Sequence, residues 1–316
     1  MSKQTEKKNY SAMARAMIKS NASVSEAKQS KYKQPVQNPT RELVEAIIFA
    51  LIAALFLKSF VVEAYRIPSG SMEKTLLVGD FLFVNKFIYG AKSPLNIPFT
   101  DVRLPYFTLP AMRDPQRGDV IVFIYPGDRD ERQSPEVTNY IKRCVGTPGD
   151  SILIKDKILY VNGQMFFSPP GMQFSNPFPM PKDAYDPAMF PHGEHWNRDN
   201  YGPLRIPKKG DVVQLNAVNY KAWEIFIERE GRTPSLKNGI VYIDGKQASS
   251  YTVERNYYFM MGDNRDNSED SRYWGFVPDD NIVGEAMLIY LSWNPNGTIP
   301  QMIGSIRWKR IGNLIW

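Results

Sequence analysis

GDVIVFIYPGD (residues 118–128), YIKRCVGTPGD (140–150) and SILIKDKILYVNG (151–163) decide the fold. Each is a short run of β-branched, aromatic and aliphatic residues closed off by Gly, Pro or Asp, which is how strands separated by tight turns are written. The same pattern recurs in FLFVNKFIYG (81–90), GIVYIDGK (239–246) and NIVGEAMLIYLSW (281–293). Two-residue alternation in ILIKDKILYVNG running into Asn162-Gly163 predicts a strand entering a tight hairpin, and Asp244-Gly245 repeats the device. The chain from about residue 80 onward is therefore expected to be mainly β, with very little helix.

Working outward, residues 165–204 are dense in Pro and aromatics and show neither period, so they form a long excursion packed by its own side chains. Patterning returns at 205–230 and 239–260, which predicts an inserted second β-rich lobe over 151–255 interrupting a core made of 63–150 and 256–316. Toward the N-terminus, LVEAIIFALIAALFLKSFVV (43–62) is long enough to span roughly 30 Å of hydrocarbon as a helix. Its two charges, Glu45 and Lys58, sit near the ends, within reach of headgroups. Residues 42–62 are accordingly expected to be a transmembrane anchor.

The chain of 316 residues carries a net charge of +6. That excess does not describe a nucleic-acid-binding surface, because residues 1–41 alone hold nine Lys/Arg and two Asp/Glu. A basic tail before a membrane helix is a topogenic signal: it keeps 1–41 in the cytoplasm and sends the chain beyond residue 62 across the membrane. The single cysteine, Cys144, excludes an intramolecular disulfide and a cysteine-based metal site. Its apolar surroundings suit a small buried residue.

Both histidines, His192 and His195, lie in the Pro-rich excursion, with nothing in the sequence linking them to a nucleophile, so a Ser-His-Asp triad is not indicated. Their spacing fits a metal pair only weakly, without a third ligand, and no cofactor or metal is expected. What remains is PSGSMEKTL (68–76), a turn holding Ser69 and Ser71, and Lys142, which stands among apolar neighbours in a strand, where lysine is seldom found without a partner or a task. A third polar stretch, GDNRDNSEDSRYWGFVP (262–278), is too polar for core and too rich in rigid anchors for a linker.

The segments PSGSMEKTL, RGDVIVF (117–123), YIKRCVGTPGD and GDNRDNSEDSRYWGFVP, in this order after an N-terminal apolar helix, resemble the successive boxes of the type I signal peptidases, Ser-Lys dyad serine proteases, and SIRWKRIG (305–312) extends the likeness. The resemblance implies an antiparallel β catalytic core, Ser71 as nucleophile and Lys142 as general base. It also implies Ser69 in the oxyanion hole, Ser268 orienting the lysine, and Asp270 with Arg272 bracing the loop. Ile67, Leu76, Leu82, Val122, Tyr140 and Ile141 match positions that line substrate pockets. The implied activity is removal of signal peptides after an A-x-A-like site, at the bacterial cytoplasmic (inner) membrane, with a single pass, the N-terminus inside and the catalytic part outside. Signal peptides of exported preproteins and the lipid bilayer are the expected partners, the export translocon is left open as a further one, and nucleic acid is not among them. Trp293, Trp308 and Trp316 are expected to rest at the bilayer interface.

Lys74 stands where this family commonly has proline, so SMEK also meets the Ser-x-x-Lys spacing of penicillin-binding proteins and β-lactamases. Those enzymes need Ser-Asp-Asn and Lys-Thr-Gly elsewhere, and neither string occurs. The related self-cleaving repressors would need a DNA-binding domain where this chain has a tail and an apolar helix. A non-enzymatic, anchored β-rich binding module stays open. Two departures from the family pattern bear on substrate fit: the long charged stretch PGDRDERQSPEVTN (126–139) and Cys144 itself.

Overall fold

The structure, a computed structural model, describes residues 39–93 and 107–316, together with 15–17 and 19. The basic tail expected over 1–41 falls almost wholly outside these. The chain divides into two units, 1–55 and 56–316. In the first, Pro39–Phe56 is an α-helix with no buried residue. With a π-helical extension through Val61 it is the one helix among the described residues long and apolar enough to cross a membrane. Arg41 Nε reaches Glu45 across one turn at 2.8 Å, so Glu45 is paired on the helix surface.

The second unit is mainly β. Its strands are β1 (Val62–Arg66), β2 (Asp80–Asn85), β3 (Val120–Ile124), β4 (Asn139–Gly146), β5 (Ser151–Lys155), β6 (Ile158–Val161), β7 (Gln164–Met165), β8 (Tyr201–Arg205) and β9 (Val212–Gln214). After the helix Tyr220–Arg229 come β10 (Pro234–Lys237), β11 (Ile240–Ile243), β12 (Lys246–Gln247), β13 (Ser250–Thr252), β14 (Tyr257–Met261), β15 (Val277–Pro278) and β16 (Ile282–Ser292). Seven of them make one antiparallel sheet in the order β1-β2-β16-β3-β4-β14-β15, while β5–β8 and β9–β13 form smaller sheets.

Alternation explains why the large sheet is stable with both faces covered. On β3, Val120 and Val122 join one apolar cluster with Ile67, Met72, Leu76 and Leu82. Ile121 and Phe123 join another, with Cys144, Met260 and Trp274. On β14, Tyr257, Phe259 and Met261 pack against Ile152, Ile154, Tyr201 and Phe226, so the core is continuous from the large sheet into the smaller ones.

Two features depart from the sequence reading. First, 220–229 is a helix that buries Tyr220, Phe226 and Ile227, with Tyr220 and Ile227 seven residues apart. Its Arg229 donates to the carbonyls of Gly127 (2.9 Å), Glu131 (3.1 Å) and Trp274 (3.1 Å), which gives the charged stretch 126–139 a fixed seat. Second, ILIKDKILYVNG is not one strand. Lys155 pairs with Ile158 and Val161 with Gln164, so two-residue turns occur at Asp156-Lys157 as well as at Asn162-Gly163. Lys157 takes φ +71°, a left-handed value disfavoured for lysine. Tertiary pairing overrides that preference, since its buried amine bonds Asp199 (3.1 Å) and Asp266 (3.0 Å). Replacing Lys157 with Met would leave the buried Asp199 carboxylate without a cation and Asp266 with Arg198 alone, at 3.6 Å, and chemical denaturation should show a loss of about 3–5 kcal/mol; a loss under about 1 kcal/mol would mean the pairing contributes little.

Candidate active site

The loop between β1 and β2 is closed at its base by Ile67 N to Asp80 O (2.9 Å) and Gly79 N to Ile67 O (3.0 Å). Met72 and Leu76 are buried and pin it to the sheet. The Asp80 carboxylate, itself buried, accepts Leu77 N (2.8 Å), Ser292 Oγ (2.6 Å) and the Arg310 guanidinium. Within this anchored loop Ser71 lies in a turn, and Lys142 faces it from β4, where it pairs with Ile121 of β3.

Lys142 Nζ is 2.8 Å from Ser71 Oγ. The lysine is 4% exposed, and its amine stands 5.3 Å from the centre of the Tyr140 ring. Burial disfavours the ammonium form and lowers the amine from its ordinary 10.5 to about 8, against the opposing pull of the Asp270 and Glu269 carboxylates. Roughly a tenth is then neutral at pH 7, far more than for a free lysine, and can accept a proton from Ser71. Lys74, the rival amine, is exposed and sits at φ +74° in a run of turns rather than opening a helix.

Ser71 and Lys142 lie at the wall of a cleft of about 640 Å³, bounded by residues 68–71, 138–142, 266–269 and Tyr273. Ser69, Ser268, Tyr140 and Ile141 are brought to the same cleft. Ile67, Leu76, Leu82 and Val122 are not among its lining residues: each is at most 2% exposed, packed in the cluster against which Ile141 rests. They form the bed under the cleft, a distinction that turns on which face of a strand meets solvent. The hydrogen bond of the Lys142 amine goes to Ser71, while Ser268 lines the same cleft with its buried hydroxyl acting on the Asp270 carboxyl. Asp270 and Arg272 do form a buried bidentate pair, both contacts at 2.8 Å. Burial alone would raise the Asp270 carboxyl, but the Arg272 guanidinium outweighs it and holds it low. Asp270 also caps the short helix Ser271–Trp274 and accepts Gly262 N at 3.0 Å.

A family model described as signal peptidase, peptidase S26, matches residues 40–293. The chain belongs to this family. It is 36% identical to signal peptidase I of Pseudomonas aeruginosa over 273 residues, covering 83% of this chain and 75% of that one. It is 33% identical to signal peptidase I of Haemophilus influenzae over 308 residues, covering 90% and 78%. A crystal structure of a signal peptidase I from Enterococcus faecalis is 21% identical, covers 55% of this chain and 97% of that one, and has a TM-score of 0.24, too low to carry an argument about arrangement.

Other parts of this S26 peptidase support the site without standing out in the sequence. Arg143, next to Lys142 on the opposite face of β4, is buried against Asp263 with contacts of 2.8 and 2.7 Å. Asp263 also accepts Thr75 Oγ1 at 2.5 Å, tying the lysine strand, the serine loop and the 262–270 loop together. The signal is present as Arg143 beside a buried lysine and Asp263 in the third polar stretch, but nothing local pairs them. Gly262 lies so close that a Cβ there would meet Ser268 Oγ at 2.3 Å and Ser71 O at 2.6 Å. His192 and His195 are exposed and do not line the cleft, and no group of three or more metal-ligating side chains occurs among the described residues.

This geometry has a kinetic and a thermodynamic outcome. Gly262→Ala should leave a folded protein whose proteolytic kcat/KM falls at least about tenfold, since displacement of a reacting atom is costly; unchanged kinetics would show that the close approach is incidental. Lys142 carries a stability penalty while protonated in the fold. The unfolded chain binds the extra proton between about 8 and 10.5, so stability rises with pH through that window. Lys142→Met should therefore exceed the wild type by up to about 3 kcal/mol at pH 7 and lose that advantage above about pH 10.5, as read by urea unfolding across pH.

Proposed function

We propose that this chain is a membrane-anchored serine endopeptidase that removes signal peptides from exported preproteins, with Ser71 as nucleophile and Lys142 as general base. The observation that carries this reading is the 2.8 Å contact between Ser71 Oγ and a buried amine whose ammonium form burial destabilises.

The neutral amine accepts the hydroxyl proton as Ser71 Oγ bonds to the scissile carbonyl carbon, and the carbonyl oxygen takes the negative charge. The Ser71 N–H and the Ser69 hydroxyl are the donors for that oxyanion, one such donor typically contributing about 3 kcal/mol. When the tetrahedral intermediate collapses, the C–N bond breaks and the Lys142 ammonium returns the proton to the leaving amine. Water, deprotonated by the same amine, then hydrolyses the acyl ester and releases Ser71. Ser268, which shares the cleft with Lys142, orients the amine.

Pairing along β4 sets where the substrate lies. Residues 139–143 pair with β3 on one side, but β14 takes up the other side only from Arg143 onward. An unpaired edge at 139–142 thus faces the cleft and can receive an extended peptide as an added strand. Tyr140 and Ile141 there would meet the small residues of an A-x-A site. Nine Lys/Arg in residues 1–41 before the apolar helix support a cytoplasmic N-terminus and an extracytoplasmic catalytic part. Exposure of Trp308 and Trp316, at 73% and 79%, supports contact with the bilayer interface, whereas Trp293 is half-buried beside Phe81.

Cleavage of a purified preprotein bearing an A-x-A signal peptide tests the assignment. Wild type should cut after the final Ala, while folded Ser71→Ala, Lys142→Ala and Lys142→Arg should lose at least about a thousandfold, guanidinium being unable to give up its proton. Equal rates in wild type and Ser71→Ala would overturn it. The rate should rise with pH through about 8, and Glu269→Gln should shift that limb to lower pH, because the Glu269 carboxylate favours the protonated amine; a pH-independent chemical step would count against Lys142 as the base.

A further inference from the structure

Arg265 is 3% exposed and forms no ion pair among the described residues, and its Nε is buried without a hydrogen-bond partner. Its neighbours are already committed. Asp263 binds Arg143 through both oxygens. Asp270 does the same with Arg272. Asp266 and Asp199 hold Lys157, and Asp266 also attracts Arg198 at 3.6 Å. Arg265 is thus left without a contacting carboxylate, Asp270 and Asp263 attracting it only from beyond ion-pair distance. Burial, and then repulsion from Arg272, lower the Arg265 guanidinium to about 10, which still leaves it charged at neutral pH. A buried charge without a counter-ion is costly.

The backbone holds this side chain in place. Arg265 N donates to Gln173 O at 3.0 Å, and Arg272 Nη2 donates to Arg265 O at 2.7 Å. Arg265 lines a pocket of about 340 Å³ that is separate from the cleft, although the next residues, 266–269, line the cleft itself. Its lining also includes Lys157, whose amine stands 4.6 Å from the centre of the Phe174 ring, together with Met165, Phe166, Phe167 and Met172. Of these, Met165 is 68% and Phe167 84% exposed, so part of the apolar lining is open to solvent. Lys157 is taken up by Asp199 and Asp266, so the cation left for a ligand is the Arg265 guanidinium, and thioether and aromatic walls beside it suit a flexible apolar chain ending in one anion.

We propose that this pocket binds a long-chain carboxylate of the fatty-acid class, its head group on Arg265 and its chain between Phe167, Met165 and Phe174. The site is distinct from the dyad and does not depend on the peptidase assignment. Because the 262–270 loop contributes to both, occupancy would stiffen the wall that carries Ser268.

The full-length chain in phosphatidylcholine nanodiscs, labelled with a decanoate bearing an aliphatic diazirine, provides the test. Mass spectrometry should find saturable adducts on Met165, Phe167 or Phe174, displaced by excess decanoate but not by decanol or acetate. Labelling should fall at least tenfold in Arg265→Gln. Since that variant removes a buried group and could fail to fold, Phe167→Asp, at an exposed position, is the second arm and should show the same loss with an unaltered melting curve. Absence of adducts in the pocket, equal displacement by decanol, displacement by acetate alone, or undiminished labelling of Phe167→Asp would each overturn the proposal.

Discussion

The guanidinium of Arg143, closed against the Asp263 carboxylate in the interior, fixes where Lys142 can be, because adjacent residues of a strand face opposite sides of the sheet. With Arg143 held on one face, the neighbouring lysine is held on the other, toward Ser71. Asp263 also takes the Thr75 hydroxyl, so the loop presenting the serine is referred to the same point. Cutting one partner of such a pair leaves a stranded charge in a dry environment, typically a loss of about 3–5 kcal/mol. The pair is therefore a positional device more than a net source of stability: it makes misplacement of the amine expensive.

Around it the protein separates two kinds of buried cation. Arg143, Arg272 and Lys157 are matched to carboxylates. Lys142 has no carboxylate in contact, only Ser71 and the Tyr140 ring, and so its neutral form gains ground. The contrast between Lys142 and Lys157, both buried lysines, is one of partners and not of depth.

Much of this is legible in the amino-acid sequence. Strand-like runs around β3, β4 and β16 declare themselves by composition and by their Gly and Pro borders, and Ser71 and Lys142 stand out because a polar turn and a buried lysine are each unusual where they occur. The Asp156-Lys157 turn is hidden because its conformation depends on Asp199 and Asp266, far away in sequence. Helix Tyr220–Arg229 is hidden by its shortness, having too few turns for a period to emerge. Ile67, Leu76, Leu82 and Val122 have the pattern of pocket wall, yet they are the bed beneath it. Composition shows that such residues are buried, whereas only packing shows what covers them.

The position of β16 has a consequence for the order of events in a growing chain. In the large sheet this strand lies between β2, which ends the serine loop, and β3, which carries the lysine strand on its far side. It is nonetheless the last strand made, ending at Ser292. A ribosome delivers the apolar helix, the serine and the lysine long before the strand that joins their two halves of the sheet. Until then β2 and β3 have no common neighbour, and Ser71 and Lys142 have no fixed separation. The two side chains are thus brought together only once β16 has been made.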